Sequence, residues 1–291
     1  MPNTILTPSI IAKEALMVLR NNAVMANLVH RDYSTEFVNG VGDTISIRKP
    51  AKFEAKEFAE NVEIQDATET SVSVTMDKHL DVTFSVTAKQ MALDIQSFSE
   101  QLLVPAMQAF ADKIDKYLIS LEADITNRVS HADGLFAPAD IIAARKFLTD
   151  NAVPTTNRNF VVGSQADADL LNNELFVSAE KVGDNGTALK EASLGRKFGF
   201  NIYTDQNVEK TSEGYVPSIA FHKNAFALVT RNLAIPNGAS KAAIVNYDGF
   251  GLRVVYDYDV KTKQDVVSID MLCGVKTLDP TLASVVADTR A

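Results

Sequence analysis

The sequence predicts an elongated protein of the α+β class. Three observations support this: early strands in which apolar and polar residues alternate, one unusually long amphipathic helix, and a later region of alternating helices and strands. The chain has 291 residues, 46% hydrophobic and 22% charged, enough for one large core or two smaller ones. We expect five successive segments, at residues 1–40, 41–87, 88–137, 138–250 and 251–291.

The first segment carries small amphipathic pieces. Thr7 and Pro8 are typical of a helix start, and Ile11, Ala15 and Leu19 follow at helical spacing. A second apolar patch occupies residues 24–29. Because these pieces lie far in sequence from any large apolar stretch, we predict an N-terminal arm that packs on something other than itself.

The second segment, residues 41–87, predicts a long β-hairpin that forms an extended loop. A two-stranded ribbon of this length is marginally stable in water by itself, so we expect a neighbouring subunit to cover its apolar face. The alternating apolar residues are Ile45, Ile47, Val72, Val74, Met76, Val82, Phe84 and Val86.

The middle of this hairpin, residues 49–60, is highly charged but contains two phenylalanines. A solvated loop is one interpretation. We favour an intersubunit contact, because exposed phenylalanines favour partners. The candidate contact residues are Lys49, Phe53, Lys56, Phe58, Val72 and Val74.

The third segment contains the long helix, predicted over residues 98–128. Ser97 and Glu100 have the spacing of a capping box, and at 1.5 Å per residue the helix would be roughly 45 Å long. Pro105 lies too far inside to be a first-turn proline, so we predict a kink there. The apolar face consists of Leu103, Met107, Phe110, Ile114, Tyr117, Leu121 and Ile125.

The last two segments predict a compact α+β lobe followed by a return to β structure. Pro138 opens a helix through Leu148, and Ser164 is a candidate cap for another. Predicted strands lie at residues 160–162, 252–258 and 266–275, with a terminal segment at 280–286. Residues 200–203, 219–221 and 226–229 are predicted to be further strands or short helices.

Composition limits the function. The net charge is −9 and the pI about 5.0, so the chain lacks the basic surface on which non-specific nucleic-acid binding depends. It shows neither a signal-peptide pattern nor the roughly 20 consecutive apolar residues of a membrane span, and we expect a soluble intracellular protein. The single cysteine, Cys273, lies in an apolar run and is expected to be a buried, inert thiol.

The sequence shows no constellation typical of catalysis or metal binding. None of His30, His79, His131 and His222 has a second ligand at metal-binding spacing. Ser164 follows a glycine but lacks the G-x-S-x-G pattern, so helix capping is favoured over a nucleophilic role. We therefore expect a protein that is not an enzyme and holds no metal or cofactor.

Two further patterns have a chemical and a structural interpretation. Residues 195–199, GRKFG, superficially resemble a phosphate loop, but Lys197 precedes a strand and a turn is favoured. Asp257 and Asp259 lie on one strand face, as acid–base carboxylates can, yet a solvated strand end is favoured beside the polar turn at 260–264.

Several motifs carry a resemblance to a known family. They are LTPSIIA at residues 6–12, NLVHR at 27–31, VGDTISIRKP at 41–50, PAM at 105–107, GR and GF at 195–196 and 199–200, and FHKNAF at 221–226. Together with the order of the segments, they resemble the major capsid (coat) proteins of tailed bacteriophages, in the short-tailed-phage branch of the HK-ninety-seven-like fold. The similarity spans nearly the whole chain, and the first hundred residues are its most specific part.

The resemblance implies an N-terminal arm, an extended β-hairpin loop, a long spine helix and a central α+β axial lobe. Residues 41–87 would lie across an adjacent subunit, residues 98–128 with the C-terminal strands would form the peripheral domain, and residues 138–250 the axial domain. Compared with the family, we expect the chain to be too short for the full extra axial domain of some members and to have no long cleavable scaffolding segment before the hairpin.

The implied function is structural. Such proteins assemble in the bacterial host cytoplasm into pentamers and hexamers of an icosahedral shell. In the virion this shell encloses phage DNA without sequence-specific binding. The implied partners are other copies of the chain, a separate scaffolding protein and a portal protein. An encapsulin-like compartment shell and a ligand-binding or enzymatic α+β protein are the alternatives.

Overall fold

The computed structural model describes residues 8–31, 42–49, 70–87, 99–131, 135–177, 192, 194–239, 241–247 and 250–289. The α-helices are α1 (Pro8–Asn22), α2 (Val104–Ser120), α3 (Pro138–Asp150), α4 (Ser164–Leu171) and α5 (Glu174–Val177). The strands are β1 (Thr44–Lys49), β2 (Thr70–Thr75), β3 (Lys78–Thr87), β4 (Arg128–His131), β5 (Arg158–Val162), β6 (Arg196–Lys197), β7 (Phe200–Thr204), β8 (Val216–His222), β9 (Phe226–Arg231), β10 (Lys241–Tyr247), β11 (Phe250–Asp259), β12 (Gln264–Thr277) and β13 (Ala283–Asp288). The predicted α+β class is confirmed.

The described strands form three sheets. β1 and β2 make a two-stranded ribbon. A five-stranded sheet has the order β10-β11-β12-β3, and β9 pairs with the far end of the long strand β12. A six-stranded sheet has the order β4-β13-β8-β5-β7-β6 and contains two parallel pairs, β4 with β13 and β5 with β7. Parallel pairs need long crossovers, and helices α4 and α5 lie in the connection between β5 and β7.

The five-stranded sheet packs one face against α1 and α2. Ile11, Ala15 and Leu19 of α1 are buried in the same core as Phe110 of α2 and Ile269 of β12. The predicted separate arm is therefore not what the described residues 8–31 form, since they belong to the main core of their own chain. The apolar stripe of α1 was visible in the sequence, but the sheet that covers it lies more than 200 positions away.

The six-stranded sheet lies between two cores because its side chains alternate between its faces. Along β5, Phe160 and Val162 face a core shared with α3, α4 and α5. Val161 faces the opposite way and joins the main core with Ile219 of β8 and Val285 of β13.

The two large sheets divide the chain differently from the predicted segments. β4 and β13 flank the predicted lobe in sequence yet complete its six-stranded sheet, with Val286 opposite Val129. β9 and β10 lie within residues 138–250 but pair with β12 and β11 in the five-stranded sheet. Local patterns identify strands but do not encode which distant strand each one pairs with.

The long helix is shorter and differently built than predicted. A π-helical turn at Ser99–Leu103 precedes α2, and a 3-10 turn at Leu121–Asp124 follows it. Leu103, directly before α2, has helical φ and ψ angles, so Pro105 lies inside a continuous helical stretch that begins at Ser99 with the π-helical turn. The predicted kink at Pro105 stays a prediction. The predicted capping residue Ser97 lies outside the described residues.

The turn near residue 198 and the start of α4 bear on two local predictions. Within residues 195–199, Arg196 and Lys197 form β6, and Phe198 and Gly199 form the two-residue turn into β7 with left-handed φ angles of 49° and 86°. The turn interpretation is confirmed. Ser164 is the first residue of α4, whereas Gly163 occupies the capping position, so the predicted cap is off by one residue. A β-carbon at Gly163 would lie 3.2 Å from Val208 and from Val216.

Candidate intersubunit surface

The ribbon has one apolar and one hydroxyl-bearing face. Ile45 lies opposite Val74 and Ile47 opposite Val72, so these four side chains share a face. The other face pairs Thr44 with Thr75 and Ser46 with Ser73, whose hydroxyl oxygens lie 3.0 and 3.5 Å apart. The predicted alternation of these strands is confirmed.

The base of the ribbon is covered by its own chain. Ile47 and Val74 are buried in a small cluster with Met76, Ala227, Val229 and Leu278. The expectation that a neighbouring subunit must cover this apolar face is therefore wrong for the described part of the ribbon. The reason is that β9 passes beneath the ribbon, which the sequence of residues 41–87 could not show.

The six candidate contact residues have different positions. Val74 is fully buried within its own molecule and presents no contact surface. Val72 is half-buried against the same cluster, and its contact role stays a prediction. Lys49 ends β1 opposite Thr70 in the ladder. Phe53, Lys56 and Phe58 lie outside the described residues, and their contact role stays a prediction.

The predicted hairpin divides at residues 76–77. β3 does not continue the ribbon but pairs antiparallel with β12, with Val82 opposite Ile269 and Phe84 opposite Val267. Val82 and Phe84 pack against the main core, which is why this strand leaves the ribbon for the sheet. The described ribbon consists of β1 and β2, and residues 50–69, which lie between them in sequence, are outside the described residues.

Gly274 on β12 fixes where the ribbon crosses the sheet. A β-carbon at this position would lie 2.3 Å from the carbonyl oxygen of Thr75 and 3.1 Å from Cα of Met76. Only glycine permits this approach of two backbones. Sequence reasoning missed the residue, although a glycine inside an apolar strand run is a signal of close backbone approach.

A groove of about 370 Å³ runs between β3 and α2. No described strand pairs with the outer edge of β3, so this groove lies beside an open sheet edge. The ammonium groups of Lys78 and Lys113 lie 5.7 and 5.2 Å from the ring centre of Tyr117. The groove is lined by His79, Leu80, Asp81, Val82, Ala109, Phe110, Lys113 and Tyr117.

The polar side of the five-stranded sheet is held by a buried ion pair. Asp270 on β12 is 3% exposed and accepts a hydrogen bond of 2.8 Å from Nε of Arg253 on β11, with a second from the same guanidinium. Nε2 of His79 on β3 lies 3.4 Å from the same carboxylate. The cluster ties three strands together and has the character of a structural pair.

The residues singled out for chemistry occupy structural positions. Cys273 is buried, and burial raises the pKa of its thiol to about 12, so it is a poor nucleophile. Asp259 accepts hydrogen bonds from the backbone of Lys261 and the hydroxyl of Thr262, which lower its pKa, with the hydroxyl contributing most. Asp257 is exposed beside it, as a solvated strand end would be.

His131 and His222 each make a polar contact within their own chain. Nδ1 of His131 lies 3.1 Å from Asp140 at the start of α3. His222 accepts a hydrogen bond from the backbone of Asn224, and burial lowers its pKa, with Arg158 adding to the effect. Across the described ranges, no three His, Cys, Asp or Glu side chains are grouped as a metal site would need.

No protein-family model and no curated protein matches the sequence. Solved structures do match. A chain of Mycobacterium phage Che8 superposes with a TM-score of 0.68 at 21% identity, covering 91% of this chain and 90% of that one. The capsid of cyanophage P-SCSP1u gives a TM-score of 0.60 at 13% identity, with 91% and 88% covered. The chain has the HK-ninety-seven-like capsid fold.

The capsid fold accounts for the whole described architecture. A virus-like particle from Pyrococcus furiosus also matches, with a TM-score of 0.54 at 11% identity over 95% of this chain and 97% of that one. Such coverage leaves little of either chain outside the shared fold, and the fold predicted by resemblance is confirmed. Within the described part of the chain, no helix has the length and apolarity to cross a membrane.

Proposed function

We propose that the chain is the major capsid protein of a tailed bacteriophage, a structural subunit that forms pentamers and hexamers of an icosahedral shell. One observation carries this proposal. The superposition on the cyanophage capsid chain covers about nine-tenths of both chains, so the resemblance extends over most of the chain. A structural role needs no catalytic centre.

The ribbon tip is the part we assign to contact with an adjacent subunit. Residues 50–69 contain six acidic and two basic side chains, together with Phe53 and Phe58. The groove between β3 and α2 is bordered by Lys78 and Lys113 and presents the ring of Tyr117. Residues 50–69, which are acidic and carry two aromatic rings, complement Lys113 in charge and Tyr117 in apolar character. Lys78 is paired with Asp77 and Asp81 also lines the groove, so Lys113 carries the charge complementarity that favours the groove as the receiving surface.

The remaining partners follow from the shell. A separate scaffolding protein guides assembly, a portal protein occupies one vertex, and the shell encloses phage DNA in the virion after assembly in the bacterial host cytoplasm. The net charge of −9 supports enclosure of DNA without sequence-specific binding, because the phosphate backbone is not attracted to an acidic protein.

Assembly of the purified chain tests the proposal directly. With its scaffolding protein, the chain is expected to form closed shells of uniform size in negative-stain electron microscopy. Light scattering gives the mass of the same sample. A particle that stays monomeric and compact across protein concentrations, with and without scaffold, would overturn the proposal.

Charge reversal tests the groove. Lys113→Glu is expected to lower shell yield several-fold while circular dichroism of the free subunit stays unchanged. The control is Lys146→Glu on α3, which also changes an exposed lysine but lies away from the groove. Equal shell yields from the two variants would exclude the groove as the receiving surface without touching the capsid assignment.

A compartment shell is the second candidate, favoured by the similarity to the virus-like particle from Pyrococcus furiosus. The two functions differ in contents. Shells purified from the native source are expected to contain DNA, seen as an absorbance maximum near 260 nm that survives external nuclease. Shells that contain protein cargo and no nucleic acid would favour the compartment, as would neighbouring genes without portal, terminase or scaffold.

A further inference from the structure

The junction between the long helix and the six-stranded sheet contains a buried carboxylate, Asp115. It lies on α2, is 1% exposed, and accepts hydrogen bonds from the backbone N–H groups of Val24 and Ala26 at 2.8 and 2.9 Å. The segment it holds continues to Leu28, whose carbonyl accepts a hydrogen bond from the side chain of Asn159 on β5 at 3.4 Å. Residues 23–29 therefore form a seam between α2 and the sheet.

A second buried carboxylate faces the same junction. Asp205 follows β7 directly and is 2% exposed. Its Oδ1 accepts a hydrogen bond of 2.9 Å from the backbone of Asn207, whereas its Oδ2 has no partner among the described residues. An unpaired buried carboxylate oxygen is costly when it carries charge, because nothing replaces its lost hydration.

Both carboxyls hold protons more tightly than usual. Burial raises the pKa of Asp115 to about 7, opposed by the hydrogen bonds from Val24 and Ala26 and reinforced by the charge of Asp205. Burial likewise raises the pKa of Asp205, against the hydrogen bonds from Asn207. Burial and the neighbouring carboxylate charge outweigh these hydrogen bonds, so full ionisation of the two groups is unfavourable.

The neighbouring charged side chains do not neutralise the negative charge of the two carboxylates. Asp112, one turn earlier on α2, is exposed and accepts a hydrogen bond from the side chain of Asn207 at 3.3 Å. Lys116 is paired at the surface with Glu209 at 2.5 Å. Asp167 of α4 accepts a hydrogen bond from the hydroxyl of Thr204 at 2.8 Å, and residues 23–29 carry no charged side chain.

We propose that Asp115 and Asp205 form a proton-binding pair that joins α2 to the six-stranded sheet, closed while the pair holds a proton and loosened when both carboxyls are ionised. Residues 205–209 are the part that moves, because Asp115 keeps two backbone donors when ionised, whereas Asp205 has an oxygen with none. The pair makes the contact between α2 and the six-stranded sheet sensitive to pH.

The direction of the effect follows from the raised pKa values. A carboxyl whose pKa is higher in the folded than in the unfolded chain stabilises the fold most when protonated. The contribution is complete below the ordinary pKa of 3.8 and is lost as the pH rises through about 7. The joint therefore loosens on going from mildly acidic to mildly alkaline solution.

Hydrogen-exchange mass spectrometry on the unassembled full chain tests this. After correction for intrinsic exchange, the equilibrium constant for opening of residues 205–209 is expected to rise by up to about tenfold per pH unit between roughly pH 5 and 7. Residues 23–29 keep their hydrogen bonds to Asp115 and are expected to change less. Asp205→Asn is expected to flatten this dependence, and Asp115→Asn likewise. The control Asp124→Asn changes an exposed carboxyl just after the same helix and is expected to keep the wild-type profile.

The outcomes separate cleanly. The proposal would be overturned if the opening of residues 205–209 in the wild type did not change with pH. It would also be overturned if Asp205→Asn kept the wild-type dependence of this opening on pH. If Asp115→Asn fails to fold because its amide satisfies only part of the two backbone donors, Asp205→Asn decides the question alone. None of these readings depends on whether the subunit assembles into a shell.

Discussion

Replacing Gly274 by alanine probes the close approach of the ribbon to the five-stranded sheet. The added β-carbon would lie 2.3 Å from the carbonyl oxygen of Thr75, which is well inside van der Waals contact. Because the opposing atoms belong to the backbone, relief requires displacement of β12 or of the ribbon base. Overpacking that side chains can absorb costs about 1–3 kcal/mol, and we expect Gly274→Ala to reach about 3 kcal/mol.

Two other glycines provide a graded comparison. At Gly251 the added β-carbon would lie 2.6 Å from the amide oxygen of Asn246, the end of a side chain that can turn away, and 3.1 Å from the backbone nitrogen of Asn232. We expect a cost of about 1 kcal/mol there. At Gly238 no atom lies within 4 Å, so alanine is expected to be neutral or stabilising by about 0.4–1 kcal/mol through the unfolded chain.

Urea denaturation of the unassembled subunits, followed by circular dichroism, measures this series. With about 2 °C per kcal/mol for a chain of this size, thermal melts are expected to show a drop of about 6 °C for Gly274→Ala and no drop for Gly238→Ala. Equal urea and thermal unfolding midpoints for these two variants would refute the reasoning that a backbone clash governs the crossing of the ribbon over β12. A loss in Gly251→Ala as large as that in Gly274→Ala would show that the identity of the opposing atom does not matter.

Three more results are expected. Arg253→Ala leaves the buried carboxylate of Asp270 without its guanidinium, so urea denaturation is expected to show a loss of about 3–5 kcal/mol, and a loss below 1 kcal/mol would contradict a buried pair. Cys273 is expected to react with a thiol reagent such as dithiobis-nitrobenzoate only after unfolding by urea, and fast labelling of the native chain would contradict its burial. Phe53→Asp and Phe58→Asp are expected to lower shell yield in electron microscopy more than subunit stability, whereas equal loss of circular dichroism signal would contradict a contact role.

The sequence by itself determined the elements whose signal is local. Alternation in β1 and β2 predicted their apolar face, which the register of Ile45 with Val74 confirms. The helix beginning at Pro138, the strand containing residues 160–162 and the turn at 195–199 also matched, because their signals lie within a few positions. The resemblance carried by the short motifs predicted the capsid fold, which the superpositions confirm.

Only the tertiary structure decided how these elements are partnered. β3 left the predicted hairpin for β12, α1 entered the main core, and the hydrogen bond from Val24 to Asp115 joins residues 91 positions apart. Hydrophobic periodicity records that a face is buried, since it depends on neighbouring residues. It does not record what buries that face, which depends on contacts between residues remote in the chain. The seam at Asp115 and Asp205 and the crossing at Gly274 are contacts of this second kind.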